Sequence, residues 1–431
     1  MPRKITLLPL IAATYFIVAG GPYGLEDIVS KAGYAGAIII LLVTPLVWSL
    51  PTALMVSELA SALPKEGGYY VWVARGMGRF WGFQEAWLSL AGSIFDMAIY
   101  PALFVAYLGH FAPSITAGGR GTGIAVAMIA ACAVWNLFGA KTVSGSSLVM
   151  SIVLLAPFAV LMGFAFLHRS GPGAPAGPLH RVDILGGILV AMWNYMGWDN
   201  ASTIAAEVDR PQRTYPLAMA GAVILVALTY VLPIAAVAMT GLDPNSWTSG
   251  GWVDAGRKLG GEGLAAALTI CGMLGAVGTF NALTMAFSRL PAVLSEDGFL
   301  PGILARRHPK TGAPWVAILA CSAAWALCLG FSFVKLVVLD VLLTGLSILL
   351  EFAALVALRI REPALPRPYR VPGGLAGAVA LGILPLALLV LTVIRNQAEP
   401  VGPVNAFEFG ALLIAAGVVS YFVGERIHDH R

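Results

Sequence analysis

Charge is the scarcest feature of this sequence. Lys and Arg number 26 and Asp and Glu 22, so 11% of the 431 residues are charged, against roughly 25% in a typical soluble domain. So few charges cannot dress the water-facing surface of a chain this size, which excludes an ordinary soluble globular protein. The net charge is only +4, with no basic run interleaved with aromatics, so nucleic acid is not an expected partner. The four cysteines, Cys132, Cys271, Cys321 and Cys328, all fall inside apolar stretches. There they read as small hydrophobes rather than a disulfide framework, and they say little about redox compartment. None of the six histidines stands deep in an apolar run, which removes histidine as the obvious intramembrane proton relay. No Gly-rich loop ending in Gly-Lys-Ser/Thr occurs, so the chain does not itself hydrolyse nucleotide. No cofactor or metal is expected, and the chain is not expected to be an enzyme.

What the sequence has in abundance is apolar residues, 58% of the total. Runs bounded by charged or Pro/Gly-rich loops lie near residues 6–30, 35–62, 80–108, 121–138, 145–167 and 183–206, then 215–240, 263–289, 314–331, 335–358, 374–395 and 405–424. Each is close to the ~20 residues that cross a bilayer as helix. The expected fold is an all-α membrane protein of twelve transmembrane helices. Met1 to Lys4 leads into a long apolar stretch without a small-residue cleavage site, so the first span is expected to stay in the mature protein. If the runs alternate across the bilayer, 18 of the 26 basic residues share the side of the N-terminus. The other eight are Lys31, Arg120, Arg169, Arg181, Arg257, Lys258, Lys335 and Arg395. The excess places both termini in the cytoplasm, with the chain multi-pass in the plasma (inner) membrane.

Two runs are interrupted at corresponding places. The first contains Ala19-Gly20-Gly21-Pro22-Tyr23-Gly24, and the sixth contains Trp193-Asn194-Tyr195-Met196-Gly197-Trp198-Asp199-Asn200. Unwound backbone is tolerable at membrane depth only where it faces a protein cavity, although small residues also merely kink packed helices. Breaks in spans 1 and 6 suggest two five-helix repeats of inverted topology, residues 1–168 and 183–358, followed by two additional helices at 374–424.

Intramembrane acids are the candidates for chemistry. Glu26 and Asp27 follow the first break, Asp96 is midway along the third span, and Asp199 sits in the second break; none has a Lys or Arg on its own span as an obvious partner. A carboxylate at this depth costs several kcal/mol unless it meets water, a partner or a bound cation. Pro22 or Tyr23 would begin the second half of the first helix, and acids in a first helical turn complement the helix dipole without any ligand. Asp96 and Tyr100 share a helix face with Gly92, which suits cation contact or proton carriage as well as an interhelical hydrogen bond. Asp199 could line the site or cap the lower half of helix 6. Trp193, Tyr195 and Trp198 could close over an amine through cation–π contact, or simply pack. Thr279 and Asn281 in the eighth span could touch a solute or bond a neighbouring helix. Asp340 and Glu351 in the tenth are further intramembrane acids whose position relative to the others is open.

Three motifs carry a family resemblance. PKEGGYYVWVARGMGRFWGFQEAW (64–87), WNYMGWDNASTIAAEVDRPQRTYPLAM (193–219) and SEDGFLP (295–301) resemble, in order, the loop before helix 3, helix 6 with its following loop, and the signature after helix 8 of the amino acid–polyamine–organocation superfamily. GGPYGLED (20–27) and DMAIYP (96–101) are similar to its polyamine uptake branch. Helix 8 of the polyamine-type members carries an acid near the position of Leu283, and Ser151 stands where some proton-coupled members keep a lysine. The resemblance implies a LeuT-like fold and secondary active transport by alternating access, driven by an ion or solute gradient. The implied cargo is a small amine-bearing solute, a polyamine or an amino acid, with a proton as coupling ion. It also implies substrate contacts at the two breaks (Gly20, Gly21, Pro22, Tyr23, Asn194) and an aromatic gate at Trp193. An exchanger of neutral or cationic amino acids, a channel or sensor on the same scaffold, oligomeric state and a partner subunit stay open.

Overall fold

The computed structural model describes residues 4–169, 182–248, 250–396, 398–401 and 403–429, without the side chains of 426–429. Arg3, Arg181, Arg431 and the side chain of Arg426, all used above for orientation, lie outside the described residues. Helix α1 is Leu7–Val18, α2 Glu26–Thr44, α3 Leu50–Ala62, α4 Tyr69–Met77, α5 Arg79–Phe111, α6 Pro113–Thr116, α7 Gly119–Asn136 and α8 Ala140–Leu167. The second half has α9 at Ile184–Asn194, α10 Pro211–Ala238, α11 Gly251–Phe287, α12 Arg289–Glu296, α13 Trp315–Trp325, α14 Phe333–Arg361, α15 Gly374–Asn396 and α16 Ala406–Asp429. The strands among the described residues are one two-residue antiparallel pair, Pro400–Val401 with Val404–Asn405. Eight helical stretches are long and apolar enough to cross a membrane, and two shorter apolar ones, Leu7–Val18 and Trp315–Cys328, accompany them. Large apolar side chains such as Leu167, Leu327 and Ile152 point outward, as lipid-facing surface should.

Both interrupted runs lose their α-helix where glycine sets the backbone. Helix α1 stops at Val18, and Gly20, Gly21 and Gly24 take φ of 60°, 99° and 87°, a region closed to a right-handed helix. The expected restart at Pro22 or Tyr23 is corrected to Glu26, since Gly24 in between cannot be helical. In the sixth run, α9 ends at Asn194, Gly197 has φ 93°, and residues Asp199–Glu207 wind as a 3₁₀-helix rather than continuing to 206 as α-helix. Short polar side chains there compete for the backbone, as when the Thr203 hydroxyl donates to the Asn200 carbonyl at 2.8 Å. Gly33 (φ 67°) separates the first and second runs inside α2, and Gly261 (φ 74°) sets off the eighth inside α11.

The helices pack in a swapped pattern. Helix α1 contacts α8 and α10, while α9 contacts α14 and α2; α5 contacts α14 and α7, while α11 contacts α8 and α13. At one end of the bundle the chain start is clamped to the end of the 3₁₀-helix, with the Ile5 N–H donating to the Glu207 carbonyl at 2.9 Å and the Asp209 N–H to Ile5 at 2.8 Å. Ion pairs gather at that same end. Fully buried Glu58 takes Arg359 Nε at 2.9 Å, a second Arg359 nitrogen, Arg367 Nε at 3.3 Å and the Val371 N–H at 2.7 Å, which ties α3, α14 and the approach to α15 together. Arg289 holds Glu207 at 2.7 Å, and Arg307 bridges Glu66 and Glu296. Exposed Arg75 grips Glu362 through two nitrogens and holds its carboxyl below the usual range.

Removing one partner of a buried pair strands the other. Glu58→Gln is expected to cost about 3–5 kcal/mol, whereas Glu362→Gln at the exposed pair should cost less than about 1 kcal/mol. Thermal unfolding of the two variants in detergent reads the difference; equal midpoints would mean that the Glu58 cluster does not hold the helices.

Candidate functional site

Asp96 is placed by α5, whose long apolar run buries it to 8% exposure midway along the bundle. Its Oδ1 accepts from the Tyr100 hydroxyl at 2.8 Å, one turn along the same helix, and from Trp193 Nε1 at 3.1 Å. Trp193 comes from the last turn of α9. Its ring stacks on Tyr100 (centroids 6.2 Å, 27°) and meets Phe333 edge-on at 5.4 Å. The three side chains line a small cavity of about 20 Å³, room for about one water. The last turn of α1 contributes Ile17 and Val18, and the second break contributes Met196, Gly197 and Asn200. Opposite stand Leu283 and Phe287 of α11 and, on α14, Asp340 with Thr344, whose hydroxyl donates to Asp340 Oδ1 at 2.7 Å. Asp340 lies within electrostatic range of Asp96. Two carboxyls thus share a chamber walled by aromatic rings, and no lining residue is basic among the described residues. Such a lining suits an ammonium group.

Comparison with known proteins decides the family. A family model described as amino acid permease matches residues 11–417, nearly the whole chain. The chain belongs to that family. It lies in the amino acid–polyamine–organocation superfamily, whose members here are transporters and not enzymes, and it is a multi-pass integral membrane protein. It is 36% identical to the polyamine transporter PUT1 of Oryza sativa subsp. japonica over 391 residues, 90% of this chain and 73% of the relative. A probable polyamine transporter of Arabidopsis thaliana is 36% identical over 422 residues, 97% of this chain and 86% of its own length. The polyamine transporter RMV1 of the same plant is 32% identical over 391 residues, 90% and 79% of the two chains.

In this permease the residues singled out from sequence separate into groups. Asp96, Tyr100 and Trp193 converge on the cavity. Gly20 lies hard against Thr279, since a Cβ there would fall 1.9 Å from the Thr279 hydroxyl, and Gly21 lies against Leu154 and Tyr23; none of these five lines the cavity. The Pro22 carbonyl accepts from Trp252 Nε1 at 2.7 Å, and the Tyr23 hydroxyl donates to Leu268 at 2.6 Å. Glu26, 1% exposed, takes the Gly24 N–H (2.7 Å) and the Tyr107 hydroxyl (2.7 Å). Half-buried Asp27 lies near Lys31 one turn on. These groups brace the restart of the first span instead of facing the cavity. Asn194 bonds the Val190 carbonyl and reaches Gly24. Tyr195 is tied to Leu41, and Trp198 to Tyr195. Asn281 accepts from Asn136 Nδ2 at 2.7 Å and so joins α11 to α7. Asp199 makes no cap: it stands beside its own and the Asn200 N–H, yet neither carboxylate oxygen completes a hydrogen bond. Sequence reasoning left Asp340 unplaced, although its one-turn spacing to Thr344 and the antiparallel contact of α14 with α5 put it in the chamber.

The two groups should respond differently to substitution. Asn281→Ala removes a helix-to-helix bond worth about 1 kcal/mol and is expected to lower the unfolding midpoint while leaving the KM of uptake unchanged. Tyr100→Phe removes one of two donors on Asp96 and is expected to raise that KM. The reverse pattern in a paired uptake and melting assay would move the site to Asn281.

Proposed function

We propose that this permease is a secondary transporter importing a small amine, with a polyamine such as putrescine as the substrate class, through alternating access and together with a proton. Both termini lie in the cytoplasm, and the membrane is the plasma (inner) membrane. On this reading the chain crosses twelve times, ten spans forming two inverted repeats around the central cavity and two following them. The swapped contacts support the repeats. Exchanging spans 1 to 5 with 6 to 10 turns the α1–α8 contact into α9–α14, α1–α10 into α9–α2, and α5–α14 into α11–α8. Three independent pairs mapping onto one another is what a two-fold relation requires.

The observation that carries the substrate class is the facing of Asp96 and Asp340 across an aromatic chamber without a basic residue. Two carboxylates balance a dication, while Trp193 and Tyr100 offer π faces to its ammonium and methylene groups. An amino acid would bring its own carboxylate and need a donor for it. The half-helix start that supplies one in other transporters is occupied here, because Gly24 and Tyr107 already donate to Glu26. In the cycle, the ammonium seats at Asp96 and Asp340, and motion of the unwound halves of spans 1 and 6 opens the chamber to one side or the other.

Uptake into proteoliposomes of labelled putrescine and spermidine, each challenged with a panel of amino acids, tests this. Putrescine is expected to accumulate, and Asp96→Asn to abolish that uptake. Competition by a neutral amino acid but not by putrescine would reverse the substrate assignment, and unchanged uptake by Asp96→Asn would remove the acid from the mechanism.

A further inference from the structure

Helices α5 and α14 carry the same polar spacing in opposite directions. On α5 the stripe is Glu85, Ser89, Gly92, Asp96; on α14 it is Glu351, Ser347, Thr344, Asp340. Steps of four, three and four residues keep each stripe on one helix face, and the two faces meet. Ser89 donates to Glu85 Oε1 at 3.1 Å and to the Ser347 hydroxyl at 3.3 Å. Gly92 leaves room for Thr344, whose hydroxyl stands 2.5 Å from where a Cβ would be. An acid pair therefore closes each end of the ladder, about 16 Å apart along the helix axis at 1.5 Å per residue. Asp96 and Asp340 form the amine chamber. Glu85 and Glu351 form the other end, within electrostatic range of each other and of Asp199 on the 3₁₀-helix, which also acts on Asp340.

This second cluster has little compensation. Glu85 and Glu351 are 0% exposed and Asp199 1%. Both oxygens of Asp199, both of Glu351 and Oε2 of Glu85 have no hydrogen-bond partner. Among the described residues no basic group acts on these three acids. Helix α4 presents Tyr69, which donates to Asn200 at 3.4 Å. Glu58 of α3 is held by Arg359 and Arg367, Arg289 by Glu207, and Arg75 by Glu362. Glu85, Asp199 and Glu351 are absent from the lining of the amine chamber, and no group of acids among the described residues converges to hold a metal ion. Positive charge must still arrive, because unpaired carboxylates this deep are costly. A proton needs no cavity and binds one oxygen at a time.

We propose that Glu85, Asp199 and Glu351 are a proton-binding cluster, separate from the amine chamber and coupled to it through Asp199 and Asp340. When the gate on one side opens, a carboxylate oxygen takes a proton from water and becomes a neutral carboxyl. When the other side opens it returns the proton to water and is a carboxylate again, so one proton moves with the solute and no other group changes. Asp199 rides on the unwound sixth span, so its charge state bears on where that span rests. The inference rests on the amine-transport reading for its coupling, though not for its proton binding.

Glu351→Gln and Glu85→Gln, neutral and isosteric with the protonated side chain, test it in the full chain. In proteoliposomes both variants are expected to bind putrescine and to exchange it across the membrane, but to lose accumulation driven by a pH gradient and the pH dependence of the initial rate. Wild-type accumulation with an unchanged pH profile would overturn the proposal. Loss of equilibrium putrescine binding would also overturn it, by making the cluster an amine subsite. Melting of the solute-free protein between about pH 5 and pH 9 gives a readout independent of any cargo, because groups that take up protons differently on unfolding give stability a pH slope. That slope is expected to shrink in both variants, and an identical slope would again overturn the cluster. A wild type that handles no amine while its slope still shrinks on substitution would instead remove the amine reading alone.

Discussion

The cost of placing a carboxylate in a low-dielectric interior organises this protein. Each buried acid must find compensation, and the bundle offers several kinds. Glu58 is neutralised by two arginines and a backbone N–H, which turns a liability into a joint between three helices. Glu26 is satisfied by a backbone N–H and a phenol, and anchors the restart of the first span. Asp96 receives an indole and a phenol, donors that orient the carboxylate without cancelling its charge. At Asp96 the need for a cation remains and the helices leave a chamber; at Glu85, Asp199 and Glu351 it remains without one.

Glycine supplies the complementary constraint. The backbone between Val18 and Glu26 can leave the helix only because Gly20, Gly21 and Gly24 accept positive φ. It can lie against α11 only because Gly20 has no side chain to strike Thr279 and Gly275 none to strike the Gly20 carbonyl, where a Cβ would stand 2.4 Å away. Gly197 plays the corresponding part in the sixth span, where a Cβ would come within 3.0 Å of the Ile17 carbonyl. The second break therefore packs on the backbone at the end of α1, which brings Ile17, Val18, Gly197 and Asn200 to one cavity.

Much of this was legible in the sequence, for reasons that can be named. Helix occupies part or all of each apolar run, and both breaks were readable because Gly and Pro act through the local backbone alone. The short helices α4, α12 and the stretch 251–260 escaped notice, because they lie in segments too short or too charged to register as apolar runs. Side-chain direction was the harder part. Tyr195, Trp198 and Asn281 have the composition of site residues, yet each spends its polar group on a carbonyl or amide of a neighbouring element. A helix period tells which residues share a face and says nothing about which helix that face meets. Asp340 shows the same limit from the other direction: its partner across the chamber, Asp96, is 244 residues away in the chain.

The distribution of the acids bears on how such a molecule could work. Asp96 and Asp340, like Glu85 and Glu351, stand on α5 and α14, two continuous helices in extensive contact. The sixth run carries the remaining acid of the ladder, Asp199. An arrangement in which α5 and α14 hold the charges still, while the broken spans move past them, changes what those charges face without moving them through the bilayer. Moving an uncompensated charge through hydrocarbon would cost several kcal/mol per step, whereas changing the surroundings of a fixed one can be driven by the cation that occupies it. Asp199 is the exception, because it lies on the interrupted sixth run and within reach of acids at both ends of the ladder.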